Sequence, residues 1–146
     1  MKKMEVNELM IGDKVVAKRI ECVGDGGQYQ EWNEFGEIIR IFEDTVYVMF
    51  DKQKDDWEEI DIKYIEPIHL SIEILEKNGF KKDEKDKNMY YWNWSICNNC
   101  ISYDKETGKI RIFHSLGNLV FVLPLRYVHK LQHALKLCEI EKEIIL

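Results

Sequence analysis

The first half of the chain alternates short apolar segments with polar turns. Segments of this length, recurring about every 8–12 residues, are typical of the strands of a small barrel or sandwich. A polar, glycine-containing stretch at residues 24–34 is predicted to be a long loop. The layout predicts an SH3-like β-barrel over residues 1–68. Its main strands are predicted at residues 14–20, 36–42, 45–50 and 57–62.

A change of pattern around residue 68 predicts the end of this β region. Pro67 biases the residue before it toward extended backbone, so it ends the last strand. Ser71 then suits a helix N-cap, and Gly79 suits the left-handed residue that closes a helix. We therefore predict a helix over residues 71–79, at the start of a second domain, 69–146.

The second domain is predicted to be a mixed layer. The charged stretch 81–88 is expected to be a solvated connection, and strands are predicted at residues 89–96, 100–104, 109–116 and 118–123. Pro124 suits the first turn of a last helix, whose apolar residues cover about a third of its circumference. These are Tyr127, Val128, Leu131, Ala134, Leu135 and Cys138. The predicted fold class is α+β: a small SH3-like β-barrel followed by an antiparallel four-stranded meander with two helices packed on it.

Composition narrows the setting of the protein. The 146 residues are 45% hydrophobic and 33% charged, and no apolar run approaches the roughly 20 residues of a membrane span. The first residues have no apolar core after their lysines, so a signal peptide is not predicted. We expect a cytoplasmic protein with no membrane partner, in which the four cysteines are thiols.

The charge is unevenly distributed between the halves. Residues 1–68 carry 9 Lys and Arg against 17 Asp and Glu, and residues 69–146 carry 12 against 10. The net charges are therefore −8 and +2, which agree with the total of −6. An acidic first half repels phosphate backbones at long range, whereas the second half leaves nucleic-acid binding open.

Aromatic side chains are the main candidates for ligand contacts, and the candidate residues are Trp32, Tyr47, Trp57, Trp92 and Trp94. Trp32 falls in the predicted loop, where an exposed ring would indicate binding, but it could instead close the thin core of the barrel. Tyr90, Trp92 and Trp94 alternate along one strand. Their shared face could be a stacking platform or could pack beneath the helices. We favour packing in both cases.

Metal and catalytic motifs are incomplete. Cys97 and Cys100 have zinc-knuckle spacing, but a structural zinc site usually needs two such pairs. A hairpin turn at residues 98–99 would explain the spacing without metal. His129 and His133 share a helix face, yet no glutamate lies between them to act as a general base, and a polar, partly exposed face is expected. We predict no metal, no cofactor and no catalytic residue.

Three short motifs occur together in a familiar order. They are residues 8–13 (ELMIGD), residues 65–71 (IEPIHLS) running on to Gly79 and Phe80, and residues 126–132 (RYVHKLQ). In this order they resemble a family of short uncharacterised proteins of intestinal bacteria, often encoded among prophage-like or mobile-element genes. The chain departs from the family at the insertion 24–34 and at His69, where the family more often has proline. The resemblance implies a bacterial, cytoplasmic accessory protein, and it implies no activity.

These features favour a non-catalytic binding or adaptor protein with a protein partner. The alternative is a nucleic-acid-binding accessory factor that acts through the second half. That alternative requires a basic patch on one face, formed by some of Lys81, Lys82, Lys85, Lys87, Lys109, Arg111, Arg126 and Lys130. A hydrolase or nuclease is a third hypothesis, which requires a deep pocket with convergent titratable groups.

Overall fold

The computed structural model of the chain describes residues 4–93, 100–114 and 118–146, with the backbone alone for residues 114 and 118–121. The chain divides into two compact units, Met1–Ile68 and His69–Leu146. Each unit has its own five-stranded antiparallel sheet, and both α-helices of the described chain belong to the second unit. The predicted α+β class is therefore confirmed.

The sheet of the first unit is a meander with its last strand returned to the first. Its strands are β1 (Lys14–Val23), β2 (Gln28–Phe42), β3 (Thr45–Asp51), β4 (Asp56–Asp61) and β5 (Ile65–Pro67). They are ordered β4-β3-β2-β1-β5, so β4 and β5 are edges and the sheet is not closed by hydrogen bonds in the described chain. A closed barrel was predicted, and that closure is not observed. A 3₁₀ turn, Ile62–Tyr64, immediately precedes β5.

The prediction of a long loop at residues 24–34 is wrong, because most of this stretch belongs to a strand. β1 continues to Val23 and β2 begins at Gln28, so only four residues form the turn between them. Trp32 consequently lies in a strand, opposite Arg19. Residues 20–31 are exposed on both faces of this extended hairpin. The hairpin therefore lacks the apolar alternation by which a half-buried strand is recognised in a sequence.

The core of the first unit lies on one face of its sheet. Alternation places Val15 and Ala17 of β1 on the same face, and the register brings Gly36 opposite Val15 and Ile38 opposite Val48. The core as a whole consists of Met4, Leu9, Val15, Ala17, Ile38, Val46, Val48, Ile60 and Ile65. Side chains at the intervening positions of the same strands point away from this core.

The second unit places a short helix before its sheet and a longer one after it. Its elements are α1 (Ile72–Lys77), β6 (Lys81–Lys82), β7 (Met89–Trp92), β8 (Cys100–Asp104), β9 (Lys109–His114), β10 (Asn118–Pro124) and α2 (Val128–Leu137). The strands are ordered β10-β9-β8-β7-β6. Neither helix in the described part of the chain has the length and apolar character that crossing a membrane requires.

Two predictions for this unit are wrong in detail. The sheet has five strands rather than four, because Lys81 and Lys82 pair with Tyr91 and Tyr90 inside the stretch expected to be a connection. Pro124 ends β10, where it lies at the sheet edge, and α2 begins four residues later. A strand of two charged residues carries no periodicity, and proline is compatible with an edge strand as well as with a first helical turn.

The two helices end with the same backbone motif. After α1, Gly79 has φ +84° and the Phe80 N–H donates to the Leu75 carbonyl at 3.0 Å. After α2, Glu139 has φ +55° and the Ile140 N–H donates to the Leu135 carbonyl at 2.9 Å. Glycine is the usual residue at this left-handed position. The predicted stop at Gly79 is confirmed, and Glu139 is an unusual residue for the same task.

The start of α1 is also as predicted. The Ser71 hydroxyl accepts a hydrogen bond from the Ile74 N–H at 3.3 Å, which satisfies one of the free amides of the first turn. Along α2, the predicted apolar stripe is buried at Val128, Leu131, Ala134 and Leu135. In the sheet, the buried side chains Tyr90, Ile101, Tyr103, Ile110 and Ile112 are cross-strand neighbours on one face.

We expect Gly36→Ala to destabilise the first unit by about 1–3 kcal/mol, the usual range for overpacking a core. A Cβ at this position would overlap Cγ1 of Val48 and lie 3.1 Å from the Met49 carbonyl oxygen. Gly26→Ala is the matched control, because a Cβ there meets nothing within 4 Å. Denaturant unfolding measures both variants. An unchanged midpoint for Gly36→Ala would show that β2 and β3 are not packed as described.

Candidate functional site

Arg19 stands at the polar end of the core face of the first sheet. It follows Val15 and Ala17 along the inward positions of β1, and it lies opposite Trp32 of β2. Its side chain is only 12% exposed. A guanidinium this far buried requires charged or hydrogen-bonding partners.

Three carboxylates provide those partners. Nη1 of Arg19 donates to Glu34 Oε2 at 3.0 Å and to Asp56 Oδ2 at 2.9 Å. Nη2 donates to Asp56 Oδ1 at 3.0 Å and to Glu58 Oε1 at 2.6 Å. The pair with Asp56 is therefore bidentate, the strongest geometry for arginine and a carboxylate. These hydrogen bonds, first of all those to Asp56, raise the pKa of Arg19 although its burial lowers it.

Two aromatic rings complete the surroundings of Arg19. Its guanidinium carbon lies 4.2 Å from the ring centroid of Phe50 and 5.4 Å from that of Trp32. The indole N–H of Trp32 donates to Glu34 Oε2 at 3.0 Å. We call Arg19, Trp32, Glu34, Phe50, Asp56 and Glu58 the Arg19 cluster. In this cluster two aromatic rings and three carboxylates surround the guanidinium of Arg19.

The contacts within the Arg19 cluster engage Trp32, which was predicted as a possible ligand contact. Both the ring face and the N–H of Trp32 are engaged by residues of the same unit. The cluster ties β1 and β2, just before they extend into solvent, to β4 through Asp56 and Glu58. Its arrangement supports a closing and bracing role for Trp32 rather than contact with a ligand.

A second aromatic group lies on the opposite face of the same sheet. Tyr47 lies between the buried residues Val46 and Val48, so its side chain points away from the core. Its ring centroid is 5.6 Å from that of Trp57, with 35° between the ring planes. The Trp57 side chain is 46% exposed. Tyr47 and Trp57 were both predicted as ligand contacts, and the fold brings them together.

Charged groups surround this ring pair. The Tyr47 hydroxyl donates to Glu59 Oε2 at 3.1 Å, and this hydrogen bond is the main cause of the raised pKa of Tyr47. Arg40 lies on the neighbouring strand β2, and its guanidinium carbon is 5.4 Å from the ring centroid of Tyr47. We call Arg40, Tyr47, Trp57 and Glu59 the aromatic surface. It offers the half-exposed ring of Trp57 with an acid nearby, which suits contact with a cationic or aliphatic side chain.

The pairing of Tyr47 with Trp57 was missed from the sequence. The β3–β4 register pairs Tyr47 with Glu59 and Met49 with Trp57, so the two rings are diagonal neighbours. Diagonal neighbours on one face lie within reach of large aromatic side chains. The alternation of β3 and the short turn after Asp51 indicate that the two rings share a face. Predicting their contact would also have required the β3–β4 register.

The predicted platform of the second unit is largely covered. Tyr90 is buried, and the Trp92 ring has the Lys142 ammonium 4.9 Å from its centroid. Trp94 lies outside the described residues, as do Cys97 and the turn predicted at residues 98–99. For the described residues, the arrangement supports packing rather than an open stacking face.

The predicted basic residues are only partly brought together. Lys81, Lys82 and Lys85 line a groove of about 560 Å³ with Tyr91, but Asp83 and Glu84 line it too. The strand register places Lys81, Tyr91 and Arg111 on one face of the sheet. Burial raises the pKa of Tyr91, with the negative charges of Asp83 and Asp86 adding to it and Arg111 opposing it. The groove therefore has mixed charge with a small positive excess.

The prediction that His129 and His133 share a polar, partly exposed face of α2 is wrong for His129. His129 is 2% exposed, and its ring stacks with that of Tyr127 at a centroid distance of 5.8 Å. Tyr127 also contacts the ring of His69, at a centroid distance of 5.0 Å, and forms a β-bridge with that residue. His133 lies edge-on to His129 at 5.7 Å. Within the described ranges, no group of three or more His, Cys, Asp or Glu could hold a metal ion.

Removal of the Arg19 cation is expected to destabilise the first unit. Arg19→Met should lower its free energy of unfolding by about 1–3 kcal/mol, between the values for surface and buried ion pairs, because three carboxylates lose their shared partner. Lys18→Met, which breaks a single pair with Glu31 on the other face, should cost less than about 1 kcal/mol. Hydrogen exchange of the β1 and β2 amides localises the effect. Equal losses in the two variants would refute a bracing role for Arg19.

Comparisons of the chain with protein-family models, with curated proteins and with solved structures gave no match. The family resemblance of the three motifs therefore stays a prediction. The function is argued below from the geometry and charge of the described residues.

Proposed function

We propose that this protein is a non-catalytic binding or adaptor protein, and that the aromatic surface of its first unit contacts a protein partner. The contact between partly buried Tyr47 and half-exposed Trp57, outside the core, is the observation that carries the proposal. Tyrosine and tryptophan lose little side-chain freedom on binding and are enriched among the residues that dominate interface energetics. Two such rings in contact, outside the core, are an arrangement that core packing does not require.

The charge of the first unit indicates the chemistry of the partner. Residues 1–68 have a net charge of −8, and the Arg19 cluster contributes three carboxylates for one arginine. Glu59 lies within the aromatic surface itself. A segment bearing lysine or arginine would be steered toward this unit and could place a cation over the Trp57 ring. The proposed ligand is therefore a positively charged peptide segment.

The strand order supports an SH3-like arrangement of the first unit. The meander of β1 to β4 has the strand order expected from the sequence, and the structure adds a 3₁₀ turn and a last strand paired with β1. Small barrels of this layout often use surface aromatic residues to bind peptides. This is an analogy of fold, which supports a binding role without identifying a partner.

The proposed setting is the cytoplasm of a bacterium, in an accessory or mobile-element system. The family resemblance supports the bacterial and accessory parts of this proposal. Cys22, Cys100 and Cys138, the cysteines among the described residues, are free thiols. Free thiols are typical of a reducing compartment.

We expect Trp57→Ala to weaken capture of the partner by about 10-fold or more, the usual effect of truncating an aromatic interface residue. Tyr29→Ala is the control, because Tyr29 is a well exposed aromatic residue of the same unit on the outer hairpin. The tagged full chain is incubated with native lysate after nuclease treatment, and bound proteins are quantified by mass spectrometry. Pools of lysine-rich and glutamate-rich peptides then test the predicted sign of the ligand charge.

Three outcomes would contradict the proposal. They are an unchanged set of captured proteins with Trp57→Ala, an equal loss with Tyr29→Ala, and preferential binding of the acidic peptides. Unfolding curves of both variants establish that each remains folded.

Nucleic-acid binding through the second unit is the second candidate function. The observation that favours it is the groove that Lys81, Lys82 and Lys85 line together with Tyr91. Lysines that follow a phosphate backbone beside an aromatic ring are the usual means of binding single strands. Asp83 and Glu84 in the same groove reduce its attraction for phosphate, so the first candidate is preferred.

Charge reversal tests the second candidate. If it is correct, Lys81→Glu combined with Lys82→Glu should abolish retention of a single-stranded oligonucleotide. Lys81→Ala with Lys82→Ala should lower the log–log salt slope by about 1.4, or about 0.7 for each phosphate that is no longer neutralised. Lys105→Ala with Lys136→Ala changes the charge equally on exposed residues outside the groove. Fluorescence anisotropy over a range of salt measures all variants, and binding that is independent of salt would exclude this function.

A further inference from the structure

The last seven residues of the sequence, 140–146, lie beyond α2 and include no helix or strand. The side chain of Asn78, at the end of α1, holds this segment by a reciprocal pair of hydrogen bonds. Asn78 Nδ2 donates to the Ile145 carbonyl at 2.7 Å, and the Ile145 N–H donates to Asn78 Oδ1 at 2.8 Å. The same Nδ2 donates to the Ile74 carbonyl at 2.7 Å, which fixes the amide in place. One side chain thus recognises the backbone of an extended peptide.

Further contacts hold the segment on both sides of this pair. Ile140 is buried and Ile144 is 1% exposed. The Lys142 ammonium lies over the Trp92 ring, and the Lys77 ammonium donates to the Leu146 carbonyl. We call the residues that contact the segment, Lys77, Asn78 and Trp92, the Asn78 surface. It binds both the backbone and the side chains of the segment, as a peptide-binding surface does.

The link between α2 and the segment is in an unfavourable conformation. Glu139 has φ +55°, whereas Gly79 provides the equivalent position after α1. A left-handed conformation is disfavoured for residues that carry a Cβ. Release of the segment would relieve this strain, because Glu139 could then become helical or extended. Glutamate, lysine and leucine, which are frequent in residues 136–146, favour continuation of the helix through Glu139.

We propose that residues 140–146 exchange between two copies of this chain, so that each segment occupies the Asn78 surface of the other copy. The occupant is known in chemical detail, because the bound segment shows what this surface recognises. An exchange of this kind preserves all of these contacts and needs no new complementary surface. A strained hinge favours the exchanged form over the closed one. This inference is independent of the binding function proposed for the first unit.

Cross-linking between full-length chains tests the exchange. One preparation carries Lys77→Cys and the other Leu146→Cys with a tag that changes its mass. They are mixed near 1 mM, about the effective concentration that a short tether gives the closed form, and treated with a short bis-maleimide. We expect a cross-linked heterodimer in several-fold greater yield than from Lys136→Cys mixed with the same Leu146→Cys chain. The Lys136 variant also measures the background from native cysteines, since Lys136 is exposed and is not part of the Asn78 surface.

The hinge gives a second, independent readout. Glu139→Gly, added to both preparations, should lower the heterodimer yield several-fold, because glycine removes the strain from the closed form. Light scattering of the unsubstituted chain at the same concentration should show a dimer fraction. The chain with both Lys77→Cys and Leu146→Cys shows whether the segment is seated. If that chain cross-links only within itself, and the mixture gives no heterodimer above the control, the proposal is overturned.

Discussion

The ion cluster around Arg19 is the interaction on which the shape of the first unit depends. Beyond Arg19 and Trp32 the β1–β2 hairpin extends into solvent on both faces, so hydrophobic burial does not hold it in place. Hydrogen bonds from Arg19 to Glu58 and Asp56 of β4 and Glu34 of β2 attach the base of this hairpin to the sheet. The guanidinium suits this position because its planar donors can serve several carboxylates at once, which an ammonium cannot do with the same geometry.

The same cluster explains why two tryptophans of one sheet have different surroundings. Trp32 shares the core face with Arg19 and is held by ring and N–H contacts, whereas Trp57 lies on the other face, half exposed against Tyr47. Because side chains alternate along a strand, a shift of one position would move a tryptophan from the core face to the outer, exposed face. This difference is the physical basis for the proposal that Tyr47 and Trp57, rather than Trp32, contact a partner.

In the second unit, the residues at the end of α1 both close the helix and bind a distant segment of the chain. Gly79 closes the helix, and the adjacent Asn78 turns its amide toward the backbone of Ile145. A side-chain amide can replace one rung of a β ladder because it offers a donor and an acceptor in one plane. The helix end thus positions an extended segment that is 67 residues away in sequence. That contact would not arise from the helix signals alone.

The sequence by itself determined the local elements that rest on short-range chemistry. The N-cap of Ser71, the left-handed Gly79 and the apolar stripe of α2 were all predictable, because each depends on residues within one or two turns. The α+β class followed from the same periodicities. The extended hairpin and the two-residue β6 were not predictable, because solvent-exposed and very short strands carry no burial pattern.

Only the tertiary structure decided which side chains meet. The pairing of Tyr47 with Trp57 depends on the β3–β4 register, and the Arg19 cluster joins residues up to 39 positions apart. Buried His129 stacks on Tyr127, which forms a bridge with His69, 58 positions earlier in the chain. Contacts between distant residues are set by strand register and by the packing of whole elements, and single-sequence patterns record neither. For this reason the candidate residues could be proposed from the sequence, but their division into a braced cluster and an exposed surface could not.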